Sequence, residues 1–214
     1  MGANSVLTST DGRNWTVVYG DAWEDHDPNL IAFTASDVGY GDGLWVAVGI
    51  NDIFESSNGT NWEALPWRKT RGCRGLSSNA VAFGNGRWFT SGYVDTVCTR
   101  TAEGDWLPYL ETSTRHHGWD MEYGNGDWVA GGNDGIATWE VGGSRWYWVE
   151  FGRFSSFSSS VNSIAFRAGR WIVGASDGPH YTDGEPNSPT DWIHVPTSQT
   201  GEKLLQLKGI AAKP

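Results

Sequence analysis

Four stretches of this chain repeat one short pattern: an aromatic residue, glycine, a two-residue polar step, one further residue and tryptophan. They are Tyr40-Gly41-Asp42-Gly43-Leu44-Trp45, Phe83-Gly84-Asn85-Gly86-Arg87-Trp88, Tyr123-Gly124-Asn125-Gly126-Asp127-Trp128 and the degraded Phe166-Arg167-Ala168-Gly169-Arg170-Trp171. The tryptophan recurs after 43, 40 and 43 residues, a period typical of a four-stranded propeller blade. A second turn alternates with the first. It reads Ser9-Thr10-Asp11-Gly12-Arg13-Asn14-Trp15 and Ser57-Asn58-Gly59-Thr60-Asn61-Trp62, with looser copies before Trp106, Trp146 and Trp192. A chain of this kind is built from units that cannot bury their apolar faces alone and must stack to do so.

Composition supports one domain spanning residues 1–214. There are 29 glycines and 14 tryptophans, and 19% of residues are charged, as expected for short strands joined by glycine turns around one core. No apolar run reaches the roughly 20 residues that cross a bilayer, and the N-terminus lacks the basic start and apolar stretch of a signal peptide. Two cysteines, Cys73 and Cys98, are too few for a disulfide framework. Whether they are bridged stays open, and the plain reading is a pair of half-buried thiols.

Residues 79–109 hold both signatures and serve as the reference copy. Asn79 to Phe83 is an apolar strand, and Gly84-Asn85-Gly86 supplies the positive φ angles of a tight hairpin. Arg87 to Ser91 returns, Thr96 to Arg100 follows, and Trp106 to Tyr109 closes the sheet, with Pro108 fitting only an edge. The same reading gives blades over 36–66, 79–109, 119–149 and 161–195. The expected fold is therefore an all-β, five-bladed β-propeller of four-stranded antiparallel blades, the fifth closed by the chain ends. Residues 2–18 match the second half of a repeat and Lys208 to Ala212 match an opening strand. The second strand of that blade is missing, which leaves an edge that a second copy of the chain could pair with.

The Asp11-Gly12 and Asn58-Gly59 turns, preceded by serine and followed by tryptophan, resemble Asp-box or BNR-like repeats. The Gly-Asn-Gly-Arg-Trp segment is similar to propeller repeats of bacteriophage tail and virion-associated proteins and of secreted bacterial proteins. The resemblance implies a propeller in a virion or extracellular setting. Such turns bond local backbone and do no chemistry, so Asp11, Asn58 and Trp62 read as structural.

Strand direction sorts loops onto two ends of the blades, and the links between blades collect basic residues. Arg68, Lys69, Arg71, Arg74, Arg115, Arg153, Lys203 and Lys208 are eight of the fifteen Lys and Arg in a chain of net charge −10. Trp67, Trp119, Phe154 and Phe157 lie among them, beside His116 and His117. The expected binding residues are Trp67, Arg68, Arg71, Arg74, Arg115, His116, Trp119 and Arg153, a face for an anionic or carbohydrate partner, because aromatic planes stack on apolar faces while Arg and Lys pair with carboxylates or phosphates. The competing reading is that long loops collect polar residues in any protein. A pI of about 4.8 disfavours nucleic acid as the partner.

Metal and enzyme readings find less support. Asp52, Asp95, Asp134 and Asp177 recur six or seven residues after each signature Trp, as turn formers do. Asp25-His26-Asp27-Pro28-Asn29 lacks the glycine and distal glutamate of a calcium loop. His116 and His117 are adjacent and point apart in an extended chain, and His180 and His194, in separate segments, read as packed or solvated. No metal or cofactor is expected. A sialidase would carry Phe-Arg-Ile-Pro, whereas Phe166-Arg167 is followed by Ala168-Gly169 in a hairpin. The function expected is a non-enzymatic binding or structural module, of a phage or virion, that contacts a glycan or a neighbouring protein. A sialidase-like hydrolase, a cellular scaffold and a carbohydrate-binding lectin are the alternatives.

Overall fold

A computed structural model describes residues 5–20, 35–49, 52–73, 78–92, 96–111, 118–133, 135–140, 147–150, 160–187 and 190–195. Among these residues every element is a strand. Blade one comprises β3 (Ala35–Gly41), β4 (Leu44–Gly49), β5 (Ile53–Ser56) and β6 (Glu63–Ala64). Blade two comprises β7 (Ser78–Gly84), β8 (Arg87–Gly92), β9 (Thr96–Arg100) and β10 (Trp106–Glu111). Blade three comprises β11 (Asp120–Gly124), β12 (Asp127–Gly132), β13 (Gly135–Glu140) and β14 (Tyr147–Glu150). Blade four comprises β15 (Val161–Arg167), β16 (Arg170–Ala175), β17 (Gly178–Thr182) and β18 (Ile193–His194). Each is an antiparallel meander, and β1 (Ser5–Thr8) pairs with β2 (Thr16–Gly20) in a separate hairpin.

The first signature is the device that holds neighbouring blades together. Its two-residue turns have positive φ at both positions, Asn85 at 46° and Gly86 at 70° for example, which matches the twist of a hairpin. The aromatic and the Trp that flank each turn are cross-strand partners, as in Phe83 opposite Trp88 and Tyr123 opposite Trp128. The glycine after the aromatic receives the aromatic of the following blade. A Cβ at Gly41 would overlap Phe83, one at Gly84 would overlap Tyr123, and one at Gly124 would overlap Phe166. From blade two onward, the signature Trp then packs on the core of the preceding blade. Trp88 joins Val46, Val48 and Ile53, Trp128 joins Phe89 and Val97, and Trp171 joins Val129 and Ile136. Trp45 is only partly buried, since the sheet on its preceding side has two described strands instead of four.

Hydrogen bonds add a second link between blades. Asp37, in the inner strand of blade one, accepts from Val38 N at 2.8 Å and from Val81 N of blade two at 2.8 Å. Asp120 does the same in blade three, accepting from Met121 N at 2.8 Å and from Ile164 N of blade four at 2.7 Å. Blade two has Ala80 at this position and uses its neighbour instead, Asn79 Nδ2 donating to Gly118 O at 3.1 Å.

The second signature is also structural. In β1–β2, Ser9 Oγ accepts from Gly12 N at 2.8 Å, and Asp11 Oδ1 accepts from Arg13 N and Asn14 N, each at 2.8 Å. In β5–β6, Ser56 Oγ accepts from Gly59 N at 2.9 Å, and Asn58 Oδ1 accepts from Thr60 N at 3.0 Å and Asn61 N at 2.8 Å. The N-terminal hairpin therefore reproduces the third and fourth strands of a blade. Its Val6 packs with Ala47 and Phe54 of blade one. Residues 208–212, read as the opening strand of a fifth blade, lie outside the described residues, which form four four-stranded sheets and the β1–β2 hairpin.

The two cysteines are joined. Cys73 and Cys98, both buried, form a disulfide across 25 residues, which replaces the reading as separate thiols. Cys98 sits in β9 facing the core, and the link after blade one is folded back far enough to bring Cys73 against it.

Candidate functional site

That folded-back link carries the described part of the basic cluster. Leu65 N donates to Ile53 O at 2.9 Å and extends the pairing of β6, and Pro66 then ends it by removing a donor. Turns follow, closed by Lys69 N to Pro66 O at 2.8 Å and Cys73 N to Thr70 O at 3.0 Å. Trp106 N, at the start of β10, donates to Lys69 O. The segment 66–73 is thus fastened to the outer flank of blade two by a backbone hydrogen bond and a disulfide. Trp67 stands 56% exposed on it, with the Arg71 guanidinium 5.2 Å from its ring centroid, and Arg68 is exposed beside them.

The expected binding residues therefore separate. Trp67, Arg68 and Arg71 share the flank of blade two, and Lys69 reaches the β9–β10 turn at Gly104. Trp119 lies at the other end of the blades, its Nε1 donating to Asn133 Oδ1 at 3.0 Å beside the β12–β13 turn. Arg74, Arg115, His116 and Arg153 lie outside the described residues, as do His117, Phe154 and Phe157.

A cleft of about 520 Å3 opens beside the β9–β10 turn that the Trp67 segment flanks, and no motif of the chain points to it. Asp42, Leu44, Phe83, Trp88, Arg100 and Thr101 are among its walls, so it lies between the short turns of blades one and two. Arg100 is not a free cation there. Its Nε and Nη2 donate to Glu55 at 2.7 and 3.1 Å, and Trp106 Nε1 donates to the same carboxylate at 3.1 Å. The hydrogen bonds to Glu55 raise the Arg100 pKa further above its usual value. Cleft and Trp67 segment flank the same β9–β10 turn and form one continuous corner of blade two.

Two further groups escaped the sequence reading. Desolvation raises the Asp37 carboxyl to about 6, against the lowering effect of its two backbone donors. Desolvation with Asp120 and Asp37 nearby raises Glu122 to about 7, and burial also raises Asp120. Asp37 and Asp120 clamp neighbouring inner strands, Glu122 lies two residues from Asp120 on β11, and their signal in the sequence is an acid at a partly buried strand position. The second group is on blade four. His180, buried on β17, and His194, exposed on β18, are cross-strand partners, a pairing that their separation in sequence concealed. His180 Nε2 lies 3.0 Å from Asp177 Oδ1, and His194 Nε2 lies 3.0 Å from the Asp177 carbonyl oxygen. Burial lowers the His180 pKa, opposed by Asp177.

No known family model matches the chain, and no curated protein matches its sequence. Solved structures do match its fold. The extracellular domain of the two-component system BT4673 from B. thetaiotaomicron aligns with TM-score 0.64 at 9% identity, covering 87% of this chain and 26% of that one. YCF48 bound to D1 peptide aligns with TM-score 0.59 at 15% identity, covering 86% of this chain and 58% of that one. The computationally designed Ika8 protein aligns with TM-score 0.53 at 15% identity over 78% of this chain and 49% of that one. The chain thus spans about a quarter of the first of these and little over half of the second. The stacked four-stranded meanders and these likenesses together identify an all-β fold of β-propeller type.

Proposed function

We propose that this chain is a non-enzymatic binding module that engages a neighbouring protein or a surface glycan at the corner of blade two, in an extracellular or virion setting. One observation carries the reading: Trp67 is more than half exposed on a segment fastened to the blade by the Cys73–Cys98 bridge and the Lys69 carbonyl. An exposed aromatic on a rigid support loses little conformational entropy on binding, which is the property of a binding anchor. Arg71 over its ring adds a cation that a partner can share. A buried disulfide favours an oxidising compartment, and one fold neighbour is an extracellular domain. Another, YCF48, was solved bound to a peptide. Against a sialidase-like hydrolase stands Arg167, which pairs with Arg170 across a two-residue hairpin turn.

A glycan array and a displayed-peptide library, each probed with the full chain, test the proposal beside a glycan hydrolysis assay. The expected result is a ligand whose binding falls at least tenfold in Trp67→Ala, with no hydrolysis. Turnover of any arrayed glycan, or binding indifferent to Trp67→Ala, overturns it.

A further inference from the structure

We propose that Asp177, His180 and His194 form a binding site for a divalent transition-metal ion of the Zn2+ class, which clips the outer strand of blade four to its β16–β17 hairpin. The three side chains each offer a ligand atom, and these atoms lie within 4.8 Å of one another. Two imidazoles with one carboxylate suit zinc and its neighbours, whereas calcium and magnesium prefer oxygen ligands alone.

Comparison with the other blades shows how unusual this pair is. The cross-strand positions of His180 and His194 are filled by Phe54 and Ala64 in blade one, by Cys98 and Pro108 in blade two, and by Ala137 and Trp148 in blade three. Only blade four puts a ring nitrogen on both strands, and it does so beside an acid. Gly178 completes the arrangement. Its φ is +129°, and a Cβ there would meet His194 Nε2 at 3.0 Å, so glycine lets the imidazole lie against the hairpin.

The geometry fits an ion with a small adjustment. His180 Nε2 and Asp177 Oδ1 are 3.0 Å apart, and two ligands about 2.1 Å from a metal at that separation subtend roughly 90°. The ion takes the place of the proton now shared between them. The widest spacing, 4.8 Å, exceeds the roughly 3.4 Å of a tetrahedral edge, so one ligand must close by about an ångström. His194 is exposed and lies on a two-residue strand, so its ring can make that turn. Three protein ligands leave a further coordination position for water or for a donor from a partner.

Calorimetric titration of Zn2+ into the full, chelator-treated chain tests the site, with Co2+ absorption and melting temperature as second readouts. One equivalent should bind, and Co2+ should give the visible bands of a nitrogen- and oxygen-ligated ion. The melting temperature should rise by roughly 5–10 °C at a hundredfold excess over Kd. His194→Ala and Asp177→Asn should each weaken binding at least tenfold. His180 is buried, so His180→Phe is the suitable third variant, since blade one carries Phe54 at that position, and it should abolish binding while the fold persists. Absence of Zn2+ binding to the native chain overturns the proposal. So does binding that is unchanged in His194→Ala and Asp177→Asn, because the ion would then lie on His26, His116 or His117.

Discussion

Gly84→Ala is the sharpest test of how the blades interlock. The added Cβ falls inside contact distance of Tyr123 Cβ, Cγ and Cδ1, where ordinary packing needs about 3.5–4 Å. Tyr123 cannot swing away, because its ring lies 5.1 Å from Trp128 and Trp128 is fully buried against Phe89 at 4.8 Å. One of the struck atoms is a Cβ, so relief requires moving backbone. Overpacking of a tight core costs about 1–3 kcal/mol, and this case belongs at or above the top of that range. For a domain of this size, roughly 3 kcal/mol lowers the melting temperature by about 6–12 °C. Gly86→Ala, two residues along, is the control: Gly86 has φ +70° with nothing within 4 Å of the new Cβ, so it carries only the left-handed backbone penalty of about 1–2 kcal/mol. The repeat supplies replicates, with Gly41→Ala and Gly124→Ala expected to behave like Gly84→Ala, and Gly43→Ala and Gly126→Ala like Gly86→Ala. Urea midpoints for the six variants decide the matter. Equal losses in the two sets would show that the sockets do not set the spacing of the blades.

Other perturbations follow from the same contacts. Asp37, raised to about 6, and Glu122, raised to about 7, take up protons in the folded state before they do in the unfolded chain. They therefore add stability as pH falls from about 7 to about 4.5. The Asp37 contribution is on the order of 2 kcal/mol, and the more solvated Glu122 gives less. His180, held below its usual pKa, opposes them below about pH 6.5, so the readout is a difference: Glu122→Gln should gain less urea resistance between pH 7.5 and 5 than the native chain, and matching profiles would count against the assignment. Reducing Cys73–Cys98, which closes 25 residues, should cost about 3.5 kcal/mol by chain entropy; an unchanged urea midpoint under reductant would contradict a bridge in the native protein. If the corner of blade two binds an anionic partner, Arg68→Ser with Arg71→Ser should weaken binding and flatten its salt dependence with little effect on melting, since exposed arginines add little stability. A salt slope identical to the native one would remove both residues from the interface.

The period was legible because each residue of the first signature has a geometric duty that other residue types meet poorly. Asn85 and Gly86 adopt positive φ, Gly84 admits Tyr123, and Trp88 fills the space beside Val46 and Val48. Strand limits read from this pattern fall within a few residues of those observed, 79–109 against Ser78–Glu111 in blade two. Contacts that depend on register between distant strands were not legible. The disulfide required the link after blade one to fold back along blade two, and nothing local to Cys73 encodes that path. The pairing of His180 with His194 was hidden by spacing: Thr182 and Ile193 are eleven positions apart, whereas Arg100 and Trp106 are six apart. Link residues were expected on one end of the blades, and the Trp67 segment departs because its carbonyl and its cysteine are both claimed by the outer strands of blade two.

The sequence of sockets also limits how the array can end. Blades one, two and three each offer a glycine to the aromatic of the next blade, and the series stops at blade four, where exposed Arg167 stands in the glycine position. Ser163 occupies the place from which Asp37 and Asp120 reach forward, and its Oγ is buried without a hydrogen-bond partner among the described residues. At the opposite end Tyr40 is 58% exposed, with no described glycine to receive it, although Val6 of the N-terminal hairpin packs against blade one as Ile53 packs within the core shared with blade two. A junction made by Arg167 and Ser163 cannot be another copy of the aromatic-in-glycine contact, because an arginine side chain fills the volume that the socket leaves empty. A strand laid beside β15 would meet an exposed arginine in place of a glycine socket, with Ser163 Oγ standing where Asp37 and Asp120 accept their backbone donors. Among the described residues, the contact made at Gly41, Gly84 and Gly124 therefore has no fourth copy on the Arg167 side of blade four.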